Sequence, residues 1–163
     1  MSNQFKLLKP SILLVLYFSF FSLNSAKQKP NILFIFADDQ CYETIRELGL
    51  TDIDTPNLDR LMNSGTSFNR AYNMGSWSGA VCVASRHMLN TGRFLWEAEI
   101  ASKKAEAERS EGRWWSEYMK KAGYKTYMTG KWHVRANVEN CFDLVRNPRG
   151  GMPNQTPAGY NRP

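Results

Sequence analysis

The stretch Asn31-Ile32-Leu33-Phe34-Ile35-Phe36-Ala37, closed by Asp38-Asp39-Gln40, decides the fold class. It is short, almost wholly apolar and rich in strand-forming residues. It therefore predicts a strand covered on both faces, the habit of a parallel sheet. In open α/β sheets ligands gather beyond the carboxyl ends of the strands, which places Asp38 and Asp39 where chemistry is done. Adjacent carboxylates repel unless a cation or hydrogen-bond donors compensate, and hard oxygen donors suit calcium or magnesium. A helix cap or a solvated turn also accounts for an Asp-Asp pair, and the pair alone favours that simpler reading.

Outward from this strand the chain keeps alternating. Thr55-Pro56 opens a helix with apolar spacing at Leu58, Leu61 and Met62, stopped by Gly65. Thr66–Ala71 is a shorter candidate strand, and Asn73–Gly79, rich in Gly, Ser and Asn, is a loop. A short helix follows from Cys82 to near Gly92. Glu97–Arg113 is charged and of good helix propensity, which predicts a solvated face. Trp114, Trp115, Tyr118 and Met119 mark an amphipathic helix, and Tyr124–Thr129 is a β-rich run. This alternation defines an α/β domain. From Asn147 to Pro163 the sequence turns rich in Pro, Gly and Asn and predicts an irregular tail containing a chance-prone glycosylation triplet at Asn154.

The composition is that of one modest folded domain: 163 residues, 42% hydrophobic and 13% aromatic, with no case for general disorder. The formal charge of +6 carries no basic stripe interleaved with aromatics, which argues against nucleic-acid binding. Two of its cations, Lys6 and Lys9, precede the apolar run Ser11–Leu23, and Ser25-Ala26 offers a cleavage point. Residues 1–26 thus predict a secretory signal, and export to a periplasm or the outside follows. The apolar run is shorter than the roughly 20 residues that span a bilayer, so no stable membrane anchor is expected. The cysteines are Cys41, Cys82 and Cys141, an odd number for an exported chain. If Cys82 is reserved for chemistry, Cys41 and Cys141 are left as candidates to pair.

Cys82 enters a helix N-terminus, among unpaired N–H groups and the positive end of the dipole, with Arg86 four residues on. That setting suits a nucleophile or an anion contact. His87 is expected to point away from any site that Arg86 enters. Lys131 and His133 alternate on an extended segment and face the same side, able to hold an anion and shuttle a proton. An exposed lysine beside a backbone-satisfied histidine is the plainer alternative.

Taken together these pieces resemble the sulfatase family. Pro30–Gln40 looks like its opening strand with metal-binding aspartates, and Cys82-Val83-Ala84-Ser85-Arg86 with Thr91-Gly92-Arg93 resembles its signature, alanine standing in for the usual proline. Gly123-Tyr124 and Thr129-Gly130-Lys131-Trp132-His133 resemble the second signature. The resemblance implies an alkaline phosphatase-like mixed sheet flanked by helices, incomplete in this chain. It implies residues 27–146 as the amino-terminal part of a catalytic domain, with 147–163 as the tail at a truncation point.

It further implies a sulfuric ester hydrolase in which Cys82 is oxidised by a formylglycine-generating enzyme to 3-oxoalanine (formylglycine). The hydrated aldehyde then attacks the sulfur of a sulfate ester, one of the sulfated glycans among the candidates. Asp38, Asp39 and the modified Cys82 become ligands of calcium, or of magnesium. Arg86 and Lys131 stabilise the sulfate charge, and His133 assists the elimination. An inactive sulfatase-like fragment, or a phosphonate or phosphodiester hydrolase of the same superfamily, are the alternative readings.

Overall fold

A computed structural model describes residues 29–151. The predicted signal segment and the Asn154 triplet lie outside them. The chain divides into two compact units, one ending at Ala37 and one beginning at Asp38.

In the first unit, Asn31–Ala37 carries no strand assignment, and Leu33 and Ile35 are 85% and 75% exposed. The doubly covered strand predicted here is therefore not formed among the described residues. A strand is defined by its ladder, and the sheet described has two strands, both from the other end of the sequence. Phe34 and Phe36 stack on each other, centroids 6.0 Å apart.

The second unit opens with two short 3₁₀ turns, Tyr42–Thr44 and Arg46–Leu48, followed by helix α1 (Pro56–Ser64), which starts on proline as predicted. The strand expected at Thr66–Ala71 is absent: these residues carry no strand assignment and are exposed. Then come α2 (Val81–Thr91), α3 (Leu95–Ser102), α4 (Ala105–Ser110), α5 (Trp115–Lys121), β1 (Tyr127–Lys131), α6 (Val138–Cys141) and β2 (Leu144–Arg149). Gly92 ends α2 at φ 64°, a left-handed cap that costs any other residue strain, and its N–H bonds Met88 O.

Strands β1 and β2 pair in parallel, Tyr127 opposite Leu144, with α6 in the crossover. The register slips between Thr129 and Gly130, so that Gly130 faces Pro148. Asn147 supplies the extra residue at φ 47°, and Pro148, which has no N–H to give, is tolerated at that irregularity. Regular structure thus runs past Asn147, where the sequence predicted none. Below the pair the core gathers Trp114, Trp132, Val138, Cys141, Phe142 and Val145. Trp132 stands edge-on to Phe142 at 5.7 Å and tilted to Trp114 at 6.1 Å.

The charged run Glu97–Arg113 is not a solvated face. Ala98, Ala101, Ala105 and Glu108 are all at most 3% exposed. The small alanine side chains let α3 and α4 approach their neighbours closely, which the surrounding charges concealed. Glu108 stays charged in that setting because Arg93, Lys104 and Arg113 surround it at 2.8, 3.3 and 2.9 Å.

Candidate active site

Helix α2 and the end of β1 build the site. Cys82 sits in the first turn of α2, and Arg86 lies one turn on, on the same face. Arg86 is 8% exposed; it donates from Nη1 to the Lys131 carbonyl at 2.6 Å and from Nη2 to Asp38 Oδ1 at 3.4 Å. Lys131, the last residue of β1, donates from Nζ to the other Asp38 oxygen at 2.6 Å. The two cations therefore share one carboxylate, which leaves a net positive charge beside the amino end of α2. Burial pushes the Asp38 carboxyl up, but the hydrogen bonds and charges of Lys131 and Arg86 outweigh it and hold it below its ordinary value.

His133 follows two residues later and places Nδ1 3.2 Å from Cys82 Sγ. It does so by leaving the extended conformation: φ is 50°, so the strict alternation expected of Lys131 and His133 fails, yet both reach the same site. Burial lowers the pKa of His133, and the charges of Lys131 and Arg86 lower it further against the opposing pull of Asp38. A neutral imidazole beside Cys82 is the result. Gly151 backs this ring, for a Cβ there would lie 3.8 Å from Nε2.

Asp39 turns the chain at φ 65°, is exposed, and shares no hydrogen bond with the cluster among the described residues. Asp38 and Asp39 are hard donors of the kind calcium or magnesium takes, but calcium fills about six to eight oxygen positions. No cluster of three or more His, Cys, Asp or Glu side chains occurs among the described residues. The donors match such a cation in kind and fall short in number.

His87 turns away from Arg86, as expected, and is fully buried. Its ring lies between Trp77 at 6.1 Å and Trp114 at 6.3 Å, and Nε2 accepts the Arg135 N–H at 3.3 Å. The cysteines left over do not pair: Cys41 is exposed and free, Cys141 buried and free. Burial pushes the Cys141 thiol up to about 12, so it is inert.

Sequence reasoning missed a cleft next to Cys82, lined among others by Trp77, Val83, Trp132, His133, Val134 and Arg135. Its one available signal was a tryptophan inside the otherwise Gly- and Ser-rich loop ahead of Cys82.

A helix-borne cysteine, a histidine touching it and two cations sharing one carboxylate beyond it thus meet where a helix and a strand end come together. The sulfatase family profile matches residues 30–155, and the chain belongs to the sulfatase family. It is 37% identical over 121 residues, 72% of its length, to an N-acetylgalactosamine-6-O-sulfatase of Bacteroides thetaiotaomicron, covering 23% of that protein. It is 31% identical over 134 residues to an ulvan-active sulfatase of Formosa agariphila, 80% of this chain and 26% of that one. Human arylsulfatase A is 33% identical over 118 residues, 69% of this chain and 22% of its own. The chain thus spans only about a quarter of these relatives, between 22% and 26%. No solved structure gives a significant match. Among the described residues no helix is long and apolar enough to cross a membrane.

Proposed function

We propose that this chain carries the nucleophile-bearing part of an exported sulfuric ester hydrolase with an alkaline phosphatase-like architecture, acting on sulfate esters such as those of glycans. The observation that carries the reading is the convergence of the Cys82–His133 contact with the Arg86–Lys131–Asp38 cluster. In this reading Cys82 is the residue that a formylglycine-generating enzyme oxidises, and the hydrated aldehyde, when formed, supplies an oxygen nucleophile. Asp38 and Asp39 are the first ligands of a calcium or magnesium ion, which when bound would polarise a sulfate oxygen.

The protein's own groups then divide the work. Arg86 and Lys131 hold the charge of a sulfate against the amino end of α2, where the N–H groups and dipole add to their pull. Lys131 and Asp38 keep each other oriented through their 2.6 Å bond. His133, neutral and 3.2 Å from the atom on Cβ of residue 82, is placed to take or return a proton there. Trp132, packed beneath in the core, fixes the backbone that carries both.

Peptide mass spectrometry tests the nucleophile. In a host that makes the maturation enzyme, the tryptic peptide Ala71–Arg86 is expected to carry oxygen in place of sulfur, with two hydrogens lost. Recovery of that peptide solely as the thiol from such a host overturns the assignment of Cys82.

A further inference from the structure

The cleft beside Cys82 holds two recognition groups that sulfate hydrolysis itself does not require. We propose that Trp77 and Arg135 form a subsite for a pyranose ring bearing a second anionic group, separate from the sulfate. The inference rests on the reading above for where the sulfate lies, and adds the class of sugar attached to it.

His133 belongs to both places: it touches Cys82 and it lines the cleft, so a ligand held at Arg86 and Lys131 extends into the cleft past its ring. The walls there are apolar, from Val83, Val134 and Trp132. Trp77 is half-buried, packs against His87 and lines the cleft, where an indole suits the apolar face of a sugar.

Arg135 is exposed, and its guanidinium makes no ion pair among the described residues, so it can meet a second anion without giving up a carboxylate partner. A planar fork left open on a cleft wall recognises a carboxylate or a second sulfate in two-point fashion. One buried ring sits behind both groups: His87 packs on Trp77 and accepts the backbone N–H of Arg135, which fixes the point from which the guanidinium projects. That shared support holds the indole and the base of the arginine side chain in place, which lowers part of the cost of ordering the subsite on binding.

Calorimetric titration of the 163-residue chain distinguishes the possibilities with three probes. These are inorganic sulfate, a disaccharide carrying one sulfate and one uronate, and the same disaccharide with the carboxylate reduced to an alcohol. The wild type is expected to bind the uronate form about tenfold tighter than the reduced form. Arg135→Ala erases that ratio, Arg135→Glu inverts it, and Arg135→Lys keeps part of it. Trp77→Ala weakens both disaccharides, and Trp77→Phe restores most of the loss. Equal affinity of the two disaccharides for the wild type overturns the inference alone, as does a preference that survives both Arg135→Ala and Arg135→Glu. Failure of the wild type to bind inorganic sulfate overturns the sulfate site, and the inference with it.

Discussion

At the scale of single residues, His87 shows how much one buried ring carries. It joins the core at Trp114 to the cleft at Trp77 and pins the turn that aims His133 at Cys82. Its Nδ1 finds no hydrogen-bond partner among the described residues. Burial, helped by the charge of Arg135, drops its pKa from 6.5 to about 4. The folded state therefore binds fewer protons than the unfolded one between about pH 6.5 and pH 4. Stability rises with pH across that window and is lost on acidification through it, by up to a few kcal/mol. Replacing His87 with phenylalanine keeps the ring and removes the titration. Urea unfolding at a series of pH values is expected to show a steeper acid loss for the wild type than for His87→Phe between pH 6.5 and 4. Parallel curves would remove His87 as the cause. That His87 would face away from Arg86 was legible in the sequence, because adjacent helix residues project about 100° apart. What it would face instead was not, since Trp77 and Trp114 reach it from opposite directions along the chain.

Whole elements were legible where their signal is local. Helix α2 with its glycine stop and the tryptophan-led α5 follow from periodicity and caps, and β1 overlaps the β-rich run Tyr124–Thr129 but starts three residues later and runs on to Lys131. Elements that depend on a distant partner were not. Asn31–Ala37 has the composition of a covered strand and no ladder, and Thr66–Ala71 behaves likewise. In α3 and α4 the error came from the other side: alanines at close spacing bury as completely as leucines, but charge dominates a reading by composition. Glu108 shows what that burial entails. Its carboxylate, 3% exposed, is held by three cations from three positions: Arg93 after α2, Lys104 before α4, and Arg113 before α5. Burial alone would raise its pKa, yet the hydrogen bonds of Arg93, Lys104 and Arg113 bring it below the ordinary value. Glu108→Gln keeps the shape and removes the charge that these donors converge on. Because all three cations are partly exposed and can turn to water, the expected cost is about 2 kcal/mol rather than the full loss of a buried pair. Guanidinium unfolding monitored by tryptophan fluorescence checks it, and an unchanged midpoint would show that the network carries no net stability.

Across the molecule the buried residues fall in one half of the sequence: no described residue before Ala84 is buried, whereas the whole core lies between Ala84 and Val145. The site survives this imbalance because Cys82, Arg86, Lys131 and His133 stand on elements that the core supports directly, and Asp38 is tied to them by two ion pairs. The other half shows its apolar content to solvent. Ile32, Leu33, Ile35, Leu61, Phe68 and Tyr72 are each at least 60% exposed. Single exposed apolar residues are ordinary, but a run of consecutive ones is a surface that seeks cover. A segment of this composition outside a sheet also has the apolar, uncharged character that favours edge-to-edge pairing between chains. The 163-residue chain alone is therefore expected to bind the dye ANS at neutral pH and to associate as its concentration rises, seen as growing mass in light scattering. Paired substitutions Leu33→Asp and Ile35→Asp, which lie outside the core, are expected to lower both signals while the tryptophan fluorescence of the core stays the same. If the wild-type chain remains monomeric and binds no dye, the apolar run is covered in solution and the exposure described for it is wrong.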